Sequence, residues 1–158
     1  MSIARNSPIF TSKYRIYYED TDAGGVVYYA NYLKFFERAR TEMIRDLGFS
    51  QQELAKKENI IFVVKNCQIS YNYPARLDDK LLINSEMLSI KGPIINIRQT
   101  IYKILDKSDV KNNDDKGKNL ADLTVQIIVV RADSFKPCRL PNNIADIFSK
   151  IALINQEY

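Results

Sequence analysis

The sequence predicts an α+β protein with one five-stranded antiparallel sheet, a long helix against it and an extra helix at the C-terminus. Three observations carry that class. Apolar residues recur at helical spacing over residues 31–47 and again near the C-terminus. From residue 60 the period falls from 3.6 to 2, the mark of half-buried strands. The breaks between successive strands are short enough for hairpins, so the sheet is antiparallel.

The elements follow in order. Residues 13–19, KYRIYYE, form a run rich in β-formers, and the cluster DTDAGG then turns the chain. Tyr32, Phe35, Phe36, Ala39, Met43 and Leu47 recur at helical spacing, with Arg38, Arg40, Glu42 and Arg45 between them. Asn31 is expected to cap this helix and Gly48 to stop it. Ser50-Gln51-Gln52-Glu53 reads as a capping box opening a short second helix that ends at Asn59. Val63, Cys67, Ile69, Tyr71 and Tyr73 then alternate with Val64, Asn66, Gln68, Ser70 and Asn72 in a long half-buried strand. The turn PARLDD covers Pro74 to Asp79. Strands over 80–90, 94–105 and 119–131 follow, the first two divided by Gly92-Pro93. The segment 106–118 carries four aspartates, four lysines and no aromatic, and reads as a solvated hairpin loop. Beyond Pro137 and Pro141, residues Ile144, Ile147, Phe148, Ile151 and Ala152 give a C-terminal amphipathic helix. Neither a repeat nor a linker divides the chain, so residues 1–158 are read as one domain. One helix covers only one face of a five-stranded sheet, and the aromatic content asks for more burial than a monomer offers. A homodimer is the expected solution.

Composition excludes several functions. A chain of 158 residues, 46% hydrophobic and 27% charged, is ordinary for a globular protein. No apolar run approaches the ~20 residues of a membrane span. The N-terminus lacks the apolar stretch of a secretory signal, so a cytoplasmic location is expected. With two cysteines and no histidine, the usual zinc sites of four nitrogen or sulfur ligands cannot form. A Cys67–Cys138 disulfide is not expected in a reducing compartment, and Cys67 reads as core filler. The net charge of +4 is scattered, with no basic run interleaved with aromatics. Nucleic acid is therefore not an expected partner. A mild positive field does suit a small anionic ligand.

One acid stands out by position. Glu19, Asp20 and Asp22 crowd the first loop, with Glu37 farther along the helix, but Asp22 lies just before Gly24-Gly25. Those glycines let backbone approach a ligand closely. Free N–H groups are expected just beyond, around Val27 to Tyr29, where they and the helix dipole favour an oxyanion. A carboxylate there can attack an acyl carbon or deprotonate water. The plainer reading is that Asp22 only charges a helix start. Arg76, Lys91 and Arg98 are candidates to meet phosphates, although each is equally a solvated charge.

The pattern also resembles a family. Arg15-Ile16, four residues, Thr21-Asp22, two residues, Gly25-Val26-Val27, one residue, Tyr29, two residues and Tyr32 form a contiguous match. It is similar to the active-site signature of the 4-hydroxybenzoyl-CoA thioesterase family. YYEDTDAGGVVY, ERARTEM, FSQQEL and PARLDD most resemble its Tol-Pal-associated acyl-CoA thioesterase (YbgC-like) branch. The resemblance implies a hotdog fold, a long helix wrapped by an antiparallel sheet, assembled as homodimers or homotetramers. It implies hydrolysis of an acyl-CoA thioester of short to medium chain length to free acid and CoA. Asp22 is then nucleophile or general base, and the backbone N–H of Tyr29 polarises the carbonyl. Gly25, Val26, Val27 and Tyr18 would contact substrate. Neither metal nor cofactor is implied, CoA being part of the substrate. Acyl-carrier-protein is a further candidate partner, its acidic surface matching a basic one. The branch commonly has histidine where this chain has Tyr29. That departure leaves the backbone donor intact but removes any imidazole role. A phenol is a poor base near neutrality. A hotdog dehydratase would need the missing histidine. The remaining alternative is a non-catalytic module that binds acyl-CoA or acyl-carrier-protein in the same groove.

Overall fold

The structure, a computed structural model, describes residues 9–110 and 116–156, with backbone alone over 153–156. The elements run β1 (Ile9–Arg15), α1 (Asn31–Asp46), α2 (Gln51–Glu53, continued by a π turn through Glu58), β2 (Ile60–Tyr71), β3 (Lys80–Lys91), β4 (Ile94–Ile104), β5 (Lys116–Arg131) and α3 (Asn142–Gln156). The strands form one sheet in the order β1-β3-β4-β5-β2, every pair antiparallel. A long helix against such a sheet, with a second helix at the C-terminus, is the hotdog architecture. Among the described residues no helix is long and apolar enough to cross a membrane.

Helix α1 forms because its apolar residues make a single stripe. Tyr32, Phe35, Phe36, Ala39, Met43 and Ile44 are buried, while Leu33, Lys34, Glu37, Arg38, Glu42 and Arg45 are exposed. The stripe faces the side of the sheet that presents Leu81, Ile83 and Met87 from β3, Ile95, Ile97 and Ile101 from β4, and Leu123, Val125 and Ile127 from β5. Each such side chain contributes about 1.5–3 kcal/mol on burial. One polar knot sits inside this layer. Gln99 of β4 is buried, donates from Nε2 to the Phe36 carbonyl and to Ser85 Oγ (2.9 Å each), and accepts from Arg40 (3.0 Å). Burial pulls the Arg40 guanidinium below its ordinary value, partly offset by Glu37. The knot fixes how far along the sheet the helix can slide, because any shift leaves buried polar groups unpaired.

Several boundaries differ from expectation. The first strand begins at Ile9 and stops at Arg15, and Tyr18–Asp20 is a 3₁₀ turn. The Asp20 carboxylate accepts the Tyr17 N–H (2.8 Å) and draws the chain out of the extended form. The α1 N-cap is Ala30, not Asn31; Asn31 Nδ2 instead donates to the Asp20 carbonyl (2.9 Å), tying helix to loop. Gly48, at φ +98°, does stop the helix. Ser50 caps α2 by accepting the Glu53 N–H (3.1 Å), and left-handed Asn59 ends that segment. Of the expected loop 106–118, Lys107–Asp109 is a 3₁₀ turn, and β5 starts early, at Lys116. Residues 111–115 lie outside the described residues.

Strand β2 departs most. Its period-2 pattern is real, but Lys65 is an extra residue facing no partner on β5: Val64 pairs with Ile127 and Asn66 with Gln126. A bulge of this kind reverses the alternation. Phe62 and Val64 before it, and Cys67, Ile69 and Tyr71 after it, therefore share the helix side of the sheet, while Val63 does not. Cys67 is exposed rather than core filler, because β2 is an edge strand. Helix α3 covers the other end of the same side: Phe148 is fully buried and packs on Phe49 and Phe62. Between α1 and the sheet a cavity of about 100 Å³ remains, lined by Met43, Ile44, Phe62, Val64, Met87 and Ile97 among others.

Candidate active site

The loop from Asp20 to Ala30 is built on hydrogen bonds at both ends. Thr21 and Val27 face each other across a narrow bridge, and the Asp22 N–H donates to the Val26 carbonyl (2.9 Å). Gly25 returns its N–H to the Asp22 carbonyl (3.0 Å) at φ +76°, a conformation glycine adopts without penalty. Val26 pairs with Arg76, and the Val27 N–H donates to Ala75 (2.8 Å), so the loop is laid onto the turn after β2.

Asp22 sits at the exposed tip. Its Oδ1 accepts the Gly24 N–H (2.8 Å), which fixes the side-chain rotation. Oδ2 has no partner among the described residues. Asp20, two positions earlier, is the structural acid: it is buried, and both its carboxylate and its carbonyl are engaged within the loop. The sequence placed these acids side by side, and the structure separates them by role.

The donors also sort themselves. The Val27 and Tyr28 N–H groups are already committed, to Ala75 and Asp20. The Tyr29 N–H has no acceptor among the described residues. Its direction is set indirectly. The Tyr28 carbonyl accepts the Asn31 N–H (2.8 Å) on the helix side. In a planar trans peptide the following N–H points the opposite way. The Tyr29 N–H thus faces away from the helix, and the Tyr29 carbonyl is held by the Tyr71 hydroxyl (2.9 Å).

Around that peptide lies an open groove lined by Val27, Tyr29, Tyr32, Tyr71, Asn72, Tyr73 and Pro74. Tyr29 packs edge-on against Tyr28 and Tyr71, and Tyr71 against Tyr32. The Tyr32 hydroxyl accepts the Ala75 N–H (3.0 Å) in the interior. Burial raises the Tyr32 and Tyr71 phenols above their ordinary range; the neighbouring Tyr29 does the same for Tyr28, with a smaller push from Asp22. Raised from an ordinary value of 10.0, these phenols stay protonated at physiological pH.

The expected site residues are partly gathered. Asp22, Gly25 and Val26 share the loop, while Val27 and Tyr29 also line the groove. Tyr18 is 81% exposed on the 3₁₀ turn and is not part of the groove lining. Arg98 is ion-paired with Glu86 (2.6 Å), and Lys91 lies at the far end of β3. Glu37 is exposed, as its helical position requires, and accepts from Thr41. Sequence reasoning missed Tyr71, Asn72, Tyr73 and Pro74. Their signal was the aromatic-rich YNY directly before PARLDD, whose first residue is Pro74. No cluster of three or more metal-ligating side chains occurs among the described residues.

A helix wrapped by this sheet is the hotdog fold, and an exposed carboxylate lies in the loop that leads to an uncommitted N–H before the helix start. The chain belongs to the thioesterase-like superfamily, which matches it over residues 17–148. It is 40% identical over 139 residues to the acyl-CoA thioesterase YbgC of Haemophilus influenzae, spanning 88% of this chain and 93% of that one. It is 41% identical over 145 residues to the acyl-CoA thioester hydrolase YbgC of Escherichia coli O6:H1, spanning 92% and 99%. Its fold superposes on the DHNA-CoA thioesterase of Staphylococcus aureus with a TM-score of 0.82 at 24% identity, covering 94% of each chain.

Proposed function

We propose that the chain hydrolyses acyl-CoA thioesters to the free acid and CoA, with Asp22 as the reacting carboxylate and the Tyr29 N–H as oxyanion donor. The observation that carries this reading is the pair of unsatisfied groups at one loop: Asp22 Oδ2 and the outward Tyr29 N–H. As charge develops on the carbonyl oxygen, a fixed donor stabilises it without reorganisation. Oδ2 either adds to the acyl carbon, giving an anhydride that water then opens, or takes a proton from the attacking water. The general-base route places the water oxygen in the acid; the anhydride route, opened by water at the Asp22 carbonyl, leaves that oxygen in Asp22 and passes an Asp22 oxygen to the acid. Both send the electron pair of the broken C–S bond to sulfur. The CoA thiolate is a good leaving group and needs little acid assistance, so one carboxylate and one donor suffice.

Two finer assignments belong to this reading. The acyl group is of short to medium length, as the family signature implies; the cavity beneath α1, lined by Glu37, Arg40 and Thr41 as well as by apolar side chains, is the space offered to it. The working unit is a homodimer joined along β2. That strand is a sheet edge, and Val64 is 48% exposed although it walls the same cavity. An unpaired edge of this length is otherwise an aggregation liability.

Hydrolysis of a chain-length series of acyl-CoA esters by the purified protein tests the activity. Asp22→Asn is expected to lower kcat by about 10²–10⁴-fold with the thermal midpoint unchanged. Full activity in that variant would remove Asp22 from the mechanism. Tight acyl-CoA binding without turnover in the native chain would identify a binding module instead. Single turnover in ¹⁸O water separates the routes, since only the anhydride path leaves label in Asp22.

A further inference from the structure

We propose that Lys118 and Arg76 bracket the Tyr29 groove as the contacts for the phosphates of the CoA nucleotide. The inference rests on the acyl-CoA reading above and supplies residues for the non-reacting end of the substrate.

The geometry starts from segment 73–76, which carries one wall of the groove. At one end, Asn72 and Tyr73 donate their N–H groups to the Leu120 carbonyl of β5 (2.8 and 3.2 Å). At the other, the Ala75 carbonyl accepts from Val27, and Arg76 pairs with Val26 of the Asp22 loop. The segment is therefore pinned between the start of β5 and the candidate catalytic loop. A cation stands at each end. The Lys118 ammonium lies 4.5 Å from the centroid of the Tyr73 ring, and Tyr73 lines the groove. Arg76 is exposed beside Val26. Neither side chain has an ion pair among the described residues, whereas nearby Lys103 is spent on Asp79 (3.1 Å) and Arg98 on Glu86.

Tyr73 makes Lys118 more than a solvated charge. An ammonium over an aromatic face is held by the ring quadrupole, which restricts the stem without consuming the charge. The ion stays available to an anion at a defined place on the groove rim. Arg76 offers a planar fork suited to a diphosphate. A thioester whose carbonyl sits at the Tyr29 N–H must extend its pantetheine arm out of the groove, whose 73–76 wall has a cation at each end, neither in an ion pair among the described residues.

The test compares substrates with and without phosphates. Lys118→Gln and Arg76→Gln are each expected to raise KM for an acyl-CoA about two- to fivefold, the range of an exposed charge contact, with kcat unchanged. KM for the matching acyl-pantetheine, which has no phosphate, stays at the native value in both variants. Lys118→Arg restores binding, and added salt erases the difference between native and variant protein. Equal effects on acyl-CoA and acyl-pantetheine, or none on either, would overturn the proposal. Calorimetric binding of CoA against pantetheine gives the same comparison without turnover. A native protein that binds CoA through these residues but hydrolyses nothing sinks the thioesterase reading and leaves this one standing.

Discussion

At the scale of single residues, the Asp22 tip is tightly specified. A Cβ on Gly24 would stand 3.1 Å from Asp22 Oδ1, so the carboxylate would have to move by a few tenths of an ångström. Displacements of that order at a reacting atom are costly. Gly24→Ala is expected to lower kcat roughly tenfold while leaving KM and the melting temperature near native, as steady-state kinetics and calorimetry would show. Tyr71→Phe deletes the bond to the Tyr29 carbonyl and should cost about 0.5–1 kcal/mol in urea unfolding. If the oxyanion donor is backbone alone, Tyr29→Phe retains activity within about threefold, since the N–H survives any side-chain change. Asp22 and Tyr29 were legible because their spacing to Gly25 and Tyr32 is local. Tyr71 was not, since it meets Tyr29 from 42 positions away, and no local pattern reports such a meeting.

At the scale of elements, periodicity located the strands and the long helix, but it overstated burial where a strand lies at the sheet edge. Helix α1 and strands β3, β4 and β5 lie where the 3.6 and 2 patterns put them, because each has a covered side. The exposure of β2 depends on its place in the sheet order, which strand sequences alone do not encode. The Gln99 knot belongs at this scale too. Gln99→Leu strands the Arg40 guanidinium and Ser85, and is expected to lower stability by about 1–3 kcal/mol. Ser50→Ala, which removes only the α2 cap, should cost about 1 kcal/mol. Chemical denaturation of the two variants ranks them; a smaller loss for Gln99→Leu would mean that the knot does not secure the helix.

At the scale of the whole molecule, the tyrosines set an alkaline limit. Tyr14, Tyr32 and Tyr71, through burial, and Tyr28, through Tyr29, are raised above the ordinary phenol value of 10.0. Below that value both states hold these protons, and the groups leave stability independent of pH. Above it the unfolded chain releases protons that the folded chain retains, so stability falls as pH rises. Urea midpoints measured from pH 8 to 11.5 should be level to about 10 and then decline. A decline beginning near pH 8 would exclude the tyrosines as its cause. The bulge at Lys65 has a consequence for heredity. Because Lys65 opposes nothing on β5, a chain lacking that codon keeps every later residue on its partner and on its side of the sheet. Natural versions of this strand that differ in length by one should therefore gain or lose their residue at that place, where the change leaves Tyr71 still facing the groove.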